Sequence, residues 1–431
     1  MTSQNEIQDY DIVIVGGGVL GLAAAYHATT RELKLNTLLI DKFKIRNETN
    51  SSKGLERFFR IMYSEEESIR LTEAAYAQWH ELQEYYGPDK ILEPVELLFL
   101  GYKDAPPTVE GSLQDAAKAM RRMGVPFITL ENPAQIAARY PVFDAGNMPE
   151  DYMGLVQKNG ASINVQQAQI VFEKMAKAQG KLTTMEETRV TLVQYNDGVK
   201  LYDISAKANS GEIHYIRAKH IILCAGVWAD DVLSGLGLKQ SPDWKIWEMS
   251  LAYWQPKPTA NIPLWYEFGD TETNKSGLFY GFPRINYLNG TAFEGLVKCS
   301  ADFTTRIWSH PSQITGIPDP EALEAIKTRL LTLFAPGTFE NGGAYFKEGT
   351  CVYSMSPDGN PAIGKIPVLD GRGSTYPNAS MCIMASGRGF KYAPVFGRLL
   401  VDLALEGKSA YEADTADFSS LRDNLFLPIT D

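Results

Sequence analysis

Gly16, Gly18 and Gly21 stand at G-x-G-x-x-G spacing directly after the apolar run Ile12–Val15, a pattern able to hold a pyrophosphate. Gly16 permits the tight turn, Gly18 lets a phosphate approach the backbone, and Gly21 lets helix and strand pack closely. Free amides at the helix start, together with the helix dipole, favour the anion. Asp41 ends the apolar stretch after Asn36, twenty residues beyond Gly21. An acid there accepts hydrogen bonds from ribose hydroxyls and would repel a 2′-phosphate. Together these residues point to an adenine dinucleotide.

Other chemistries find few residues. Cys224, Cys299, Cys351 and Cys382 are far apart and form no C-x-x-C pair, so neither zinc nor a disulfide framework is expected. His27, His80, His214, His220 and His310 show no ligand spacing and are read as surface or core residues, leaving no metal site. No G-x-S-x-G elbow or Walker loop occurs. The chemistry is therefore expected to belong to the bound cofactor.

The elements that must position these residues follow from length and pattern. A chain of 431 residues exceeds one ordinary core, so two domains are expected. Net charge −11 argues against nucleic acid, and no window of eighteen apolar residues exists to span a membrane. Residues 1–8 are polar without an apolar leader, and the C-terminus carries no Ser-Lys-Leu address, so a cytoplasmic location is expected. A βαβ unit occupies about residues 9–42, followed by a polar loop at 47–52. Helices are expected at 71–86, 113–123, 164–180, 229–233, 318–334 and 392–405, and strands at 96–100, 247–254, 264–267, 277–282 and 380–385. The short apolar strand 219–226 ends in Ala225-Gly226, small residues that permit close approach to the dinucleotide. The expected fold is α/β, a doubly wound Rossmann-like nucleotide domain (1–90, 150–240 and 340–431) with an interleaved α+β substrate domain (91–149 and 241–339). The second domain is built on a mixed or antiparallel sheet, and the ligand cleft lies between the two.

Three further blocks carry a resemblance. Ser51–Arg60, Thr350–Tyr353 with Pro357-Asp358, and Ser386–Lys391 followed by Gly397 resemble the monomeric sarcosine oxidase family of FAD-dependent amine oxidases. Glu56–Leu71, Glu110-Gly111, Glu248-Met249, Leu278–Phe282, Val297–Phe303 and Pro394–Leu403 are similar to the branch that oxidises the cyclic imino acid piperideine-2-carboxylate to picolinate. The resemblance implies FAD as the dinucleotide, oxygen as electron acceptor, hydrogen peroxide as by-product and a monomeric enzyme. The substrate implied is a carboxylate-bearing secondary or cyclic amine, oxidised to an imine and, in the extreme, on to an aromatic product. Sarcosine or another N-methyl amino acid, pipecolate or proline are alternative substrates. A dehydrogenase with a non-oxygen acceptor, nicotinamide chemistry and a non-catalytic flavoprotein are rival readings.

Amine oxidation by a flavin requires a carboxylate clamp and an apolar wall that place the substrate C–H. The resemblance makes Arg60 the clamp and Lys391 its second, both beside the isoalloxazine; guanidinium suits a carboxylate because it binds bidentately. Arg57 is either a flavin contact or a structural pair. Lys298 matches the family's oxygen-activating lysine, a fixed cation that stabilises developing negative charge. Asp302 and Glu110 match acidic active-site positions able to stabilise an iminium or accept the N–H proton. Cys351 would attach FAD through an 8α-thioether, its alternative being a buried small hydrophobe. Lys53, Gly387, Arg388, Gly389 and Phe390 complete the expected cofactor contacts, and Tyr280, Trp247 and Trp254 are candidate walls. Two departures stand out: Arg388 replaces an aromatic of the picolinate-forming branch, and Lys53 replaces a histidine of sarcosine oxidases. The first puts full aromatisation in question, and the second sarcosine itself.

Overall fold

The computed structural model describes residues 7–31, 34–86, 90–105, 107, 108, 110–268, 278–418 and 425–429. Its first sheet has eight strands, with 362–367, 375–384, 213–223, 7–15, 37–40 and 182–185 side by side and the 188–196/201–208 pair attached at its flank. The pairings from 375–384 across to 182–185 are all parallel. Strand 7–15 is central, and its Ile12–Val15 are buried on both faces, as a parallel strand covered on two sides requires. The helices Val19–Thr30, Val165–Ala178 and Ala393–Glu406 pack on one face. The other face is covered by Thr188–Asn196, Leu201–Ala208 and the short helix Asp230–Leu233, giving three layers.

Two helices of the first layer are keyed together. A Cβ on Gly397 would lie 2.6 Å from the Cβ of Ala23, so small residues let the axes approach closely. His27 seals the same contact, its Nε2 lying 2.8 Å from the Pro394 carbonyl, and burial pushes its pKa down to about 3. The first helix, which begins at the glycine motif, is thereby fixed to the helix that follows Lys391.

The second sheet has ten strands in the order 307–308, 245–254, 297–301, 278–281, 264–268, 92–102, 152–164 and 56–59, with 345–355 beside 245–254 and 128–130 beside 152–164. All pairings are antiparallel except 92–102 with 264–268. Strands 56–59, 152–164 and 345–355 pair in this sheet although their positions fall within the ranges expected for the nucleotide domain. The reason is that 152–164 is buried along most of its length and lies between 92–102 and 56–59. Helix Pro320–Leu333 covers one face, where Arg329 donates to the fully buried Glu267, which also accepts from the Tyr152 hydroxyl at 2.9 Å. The opposite face points to the first sheet. Gly277, expected to start a strand, lies outside the described residues, and the strand runs Leu278–Gly281. Trp254, expected as a substrate wall, is instead core: it is fully buried and donates to the Gly343 carbonyl.

Candidate active site

The glycine motif forms the turn its spacing requires. Gly16 has φ +109°, and a Cβ there would run into the Cys224 carbonyl. A Cβ on Gly21 would collide with the Gly16 carbonyl, so the helix can pack on the turn only without one. Asp41 accepts from the Gly17 and Phe43 amides, and burial raises its pKa above the usual value. Ser52, a residue outside the predicted contacts, accepts from the Val19 amide at 3.0 Å and so already occupies one helix-start donor. Gly16, Gly18, Asp41 and Ser52 line a cavity of about 1180 Å³ together with Ala225, Gly226 and the half-exposed ring of Trp228, whereas Gly21 packs behind the turn and is not part of the lining. Cys224 also lines it, and burial pushes its thiol up to about 12.

A second cavity of about 960 Å³ continues from the first. The two share Arg57, Tyr353, Gly387 and Phe390 as walls. One side is the inner face of the ten-stranded sheet. Period-two alternation puts Tyr280 and Phe282, Lys298 and Asp302, and Cys351, Tyr353 and Met355 on that face. Register places Tyr266 opposite Tyr280, and their rings stack with centroids 5.7 Å apart. Trp247 also lines this cavity.

The cavity's charged groups fall into two clusters. At one end Lys298 lies 3.4 Å from the Glu56 carboxylate, donates to its carbonyl at 3.1 Å, and sits 4.1 Å over the Phe282 ring. Burial pushes the lysine's pKa down, with Glu56 pulling the other way. Tyr253 donates to Glu56 at 2.9 Å. Nearby, Arg57 donates to the carbonyls of Ser51, Lys53 and Glu56 and reaches Cys351 Sγ at 3.7 Å. Lys53 itself lines neither cavity; its ammonium bonds the Thr350 hydroxyl at 3.2 Å.

The other end is organised around Glu110. Arg60, only 3% exposed, donates to one carboxylate oxygen, and Arg388 lies 3.4 Å from the other. Burial opposes ionisation of Glu110, but Arg388, Arg60 and Lys391 hold its pKa down at about 2. Gly111 makes the loop that carries it possible: φ is +80°, and a Cβ would collide with Ser64, four residues past Arg60. The loop is closed by Thr108–Gly111 backbone bonds, and Glu110 N donates to the Thr108 hydroxyl. Lys391 donates to the Tyr63 hydroxyl at 2.7 Å. Asp302 accepts from Tyr266 at 3.3 Å, and burial, reinforced by Glu110, pushes its pKa up to about 6. Arg60 Nη1 is buried and has no hydrogen-bond partner among the described residues.

The loop 385–391 joins the two cavities. Ser386 N donates to the Ser354 carbonyl and Arg388 N to Ala385, pinning the loop to the strand that carries Cys351 and Tyr353. Gly387, Gly389 and Phe390 face the first cavity, and Arg388 and Lys391 the second. Arg57, Arg60, Glu110, Lys298, Asp302, Cys351, Arg388 and Lys391 thus meet around one space. Sequence reasoning missed Glu56, Tyr63, Tyr266, Phe282 and Tyr353, which periodicity reads as ordinary strand and core residues. Among the described residues no cluster of His, Cys, Asp or Glu forms a metal site, and no helix is long and apolar enough to cross a membrane.

The residues present fit FAD. A glycine turn, a helix start and a ribose-directed acid line the first cavity, and the space continues past small and aromatic residues into a cationic second one. Comparison with known proteins agrees. The chain is 26% identical over 413 residues to monomeric sarcosine oxidase of Streptomyces avermitilis, covering 93% of this chain and 95% of that one. It is likewise 26% identical over 410 residues to N-methyl-L-tryptophan oxidase of Escherichia coli, covering 94% and 97%. The structure of NikD, an unusual amino acid oxidase essential for nikkomycin biosynthesis, superposes with a TM-score of 0.79 at 26% identity over 96% of this chain and 97% of that one. The family model for FAD dependent oxidoreductases matches residues 11–403, and the chain belongs to that family.

Proposed function

We propose that this enzyme oxidises the C–N bond of a carboxylate-bearing secondary or cyclic amine to an imine. The observation that carries the reading is Arg60: one terminal nitrogen is held by Glu110, while the other is buried, has no hydrogen-bond partner among the described residues and belongs to a side chain lining the cavity. A desolvated guanidinium donor without an acceptor is costly, and a substrate carboxylate would relieve that cost.

FAD, when bound, takes up the two electrons of the C–H bond and passes them on. The chain's own residues do the rest. Gly16, Gly18 and Gly21 with the amides at the helix start would hold the pyrophosphate, and Asp41 the ribose. Ala225, Gly226, Gly387, Gly389, Phe390 and Arg57 would enclose the remainder of the cofactor. Cys351 would carry it covalently, its sulfur lying beside the Arg57 guanidinium at the junction of the cavities. Arg60 and Lys391 clamp the carboxylate. Tyr266 and Tyr280 form the wall for the amine's carbon skeleton and exclude water. Asp302, with its raised pKa, holds or accepts the proton at the substrate nitrogen. Lys53 acts at second hand, through Thr350 beside Cys351.

Oxygen as the acceptor, with peroxide formed near Lys298, is the first reading of electron disposal. A second is favoured by Glu56: an acid 3.4 Å from Lys298 offsets the cation that oxygen activation needs, which suits an acceptor other than oxygen. Oxygen uptake during turnover separates the two. The substrate test is anaerobic mixing of the holoenzyme with sarcosine, N-methyl-tryptophan, proline, pipecolate and piperideine-2-carboxylate. At least one is expected to bleach the visible flavin absorbance, and no bleaching with any of them would rule the reading out. A monomer working in the cytoplasm completes the proposal and is checked by gel filtration and cell fractionation.

A further inference from the structure

Three rings and one acid enclose the Arg60 guanidinium. Tyr63, Phe99 and Tyr266 set their ring centroids 4.2, 5.1 and 5.4 Å from it, and Glu110 takes one terminal nitrogen. Nη1 is left for a ligand. With Lys391, which shares Tyr63 with Arg60, that makes a receptor for one carboxylate. The other cations lining the cavity are engaged by the protein itself. Arg388 is drawn to Glu110 and to Glu65. Lys298 lies against Glu56, and Arg57 donates to the carbonyls of Ser51, Lys53 and Glu56.

Glu110 does more than occupy guanidinium groups. Its side chain is 12% exposed, with one oxygen facing Arg60 and the other Arg388. Burial opposes its ionisation, yet Arg388, Arg60 and Lys391 hold its pKa at about 2, so it remains an anion at neutral pH and takes no proton from a substrate. A fixed anion in a buried site repels a second one, because little water screens the pair. Asp302, on the same cavity, registers that field: burial, and after it Glu110, push its carboxyl up to about 6. An extra acidic group on a ligand would meet the same two costs. We infer that Glu110 is a specificity-determining residue, which admits amines with one carboxylate and rejects those with a second acidic group. This rests on the proposed amine oxidation and narrows it. The selection comes from a repulsive element built against the wrong ligand.

The test is calorimetric binding to the holoenzyme, at neutral pH, of diglycolate and glutarate, each beside its own monoamide. Neither pair contains the amine that is oxidised, and each monoamide keeps the shape of its diacid while removing one charge. The wild type is expected to bind the better monoamide at least about tenfold more tightly than its diacid. Glu110→Gln is expected to bring the diacid level with the monoamide or ahead of it, and Glu110→Asp to keep most of the preference. Glu110→Ala removes the same charge and replaces the amide variant if that one does not fold. The ratio is read within each protein, so a general loss of affinity in one variant does not mimic the result. Equal or tighter binding of the diacid by the wild type would overturn this inference and leave the amine-oxidase reading intact. An unchanged preference in Glu110→Gln and Glu110→Ala would also overturn it, placing the selection elsewhere. Binding of none of the four acids would overturn it even if an amine bleaches the flavin, because the receptor described would then not recognise a carboxylate. The same result with no bleaching by any amine would overturn both readings.

Discussion

Lys391 and Arg60 meet on Tyr63: the ammonium donates a hydrogen bond to the phenol oxygen at 2.7 Å, and the guanidinium lies 4.2 Å over the ring. Burial opposes ionisation of the phenol, yet Lys391 and Arg60 draw its pKa below the ordinary tyrosine value. One aromatic ring thus sets the separation and orientation of two cations that come from opposite ends of the chain.

Arg60→Lys removes the forked donor while keeping the charge. Loss of a desolvated, charge-assisted carboxylate contact through Nη1 is expected to cost about 2–4 kcal/mol, or roughly 30- to 1000-fold in kcat/KM. Steady-state kinetics on the best amine check this, with flavin absorbance showing that the cofactor is retained.

Lys298→Met is expected to slow reoxidation of the reduced enzyme by oxygen by about a hundredfold or more, since a lost fixed charge at a developing anion costs roughly 3–4 kcal/mol. Anaerobic reduction by substrate should change little. Glu56→Gln should act in the opposite direction, freeing the cation. Stopped-flow traces of both half-reactions decide, and unaltered reoxidation in Lys298→Met removes the assigned role.

Acid precipitation of the holoenzyme is expected to leave a yellow pellet, and Cys351→Ala to release the colour into the supernatant. A colourless wild-type pellet would exclude the thioether.

Asp302 gives a pH signature. Its pKa is pushed from 3.8 to about 6 in the folded protein, so between those values the folded state holds a proton that the unfolded chain has lost. Raising pH across that window therefore lowers stability. Asp302→Asn is expected to flatten that slope in thermal melts between pH 4 and 6. If the carboxylate accepts the amine proton, kcat/KM rises through a pKa of about 6 in the wild type, and this limb is absent from Asp302→Asn.

The nucleotide end was legible in the chain because its physics is local. Gly16, Gly21 and Asp41 act through a turn, a close contact and a strand end, all within a βαβ unit. The helices at 113–123 and 392–405 were likewise set by short-range pattern, whereas the strand expected at 219–226 runs Ile213–Leu223, because its first half pairs with 201–208 and Gly226 opens a short turn. The lining of the second cavity was legible only where a block resembled a known family, as at Arg60, Cys351 and Lys391. Glu110 joins Arg60 to Arg388 across 50 and 278 residues of chain, and no periodicity encodes such a meeting. Tyr63, Tyr266 and Glu56 look like core in a linear reading, because a buried polar residue betrays itself only through its partners. Trp254 shows the converse error, since an aromatic strand residue can face either side of a sheet and this one faces away from the ligand.

The close contact of Gly397 with Ala23 sets a length before any chemistry begins. One helix starts at the phosphate turn and the other just beyond Lys391, so their packing fixes how far apart the two ends of a dinucleotide must lie. Side chains on the ten-stranded sheet can then be exchanged to suit another amine without altering that span. A larger residue at position 397 is expected to do the reverse: every reacting group would survive, but the gauge that brings them to the cofactor would be wrong.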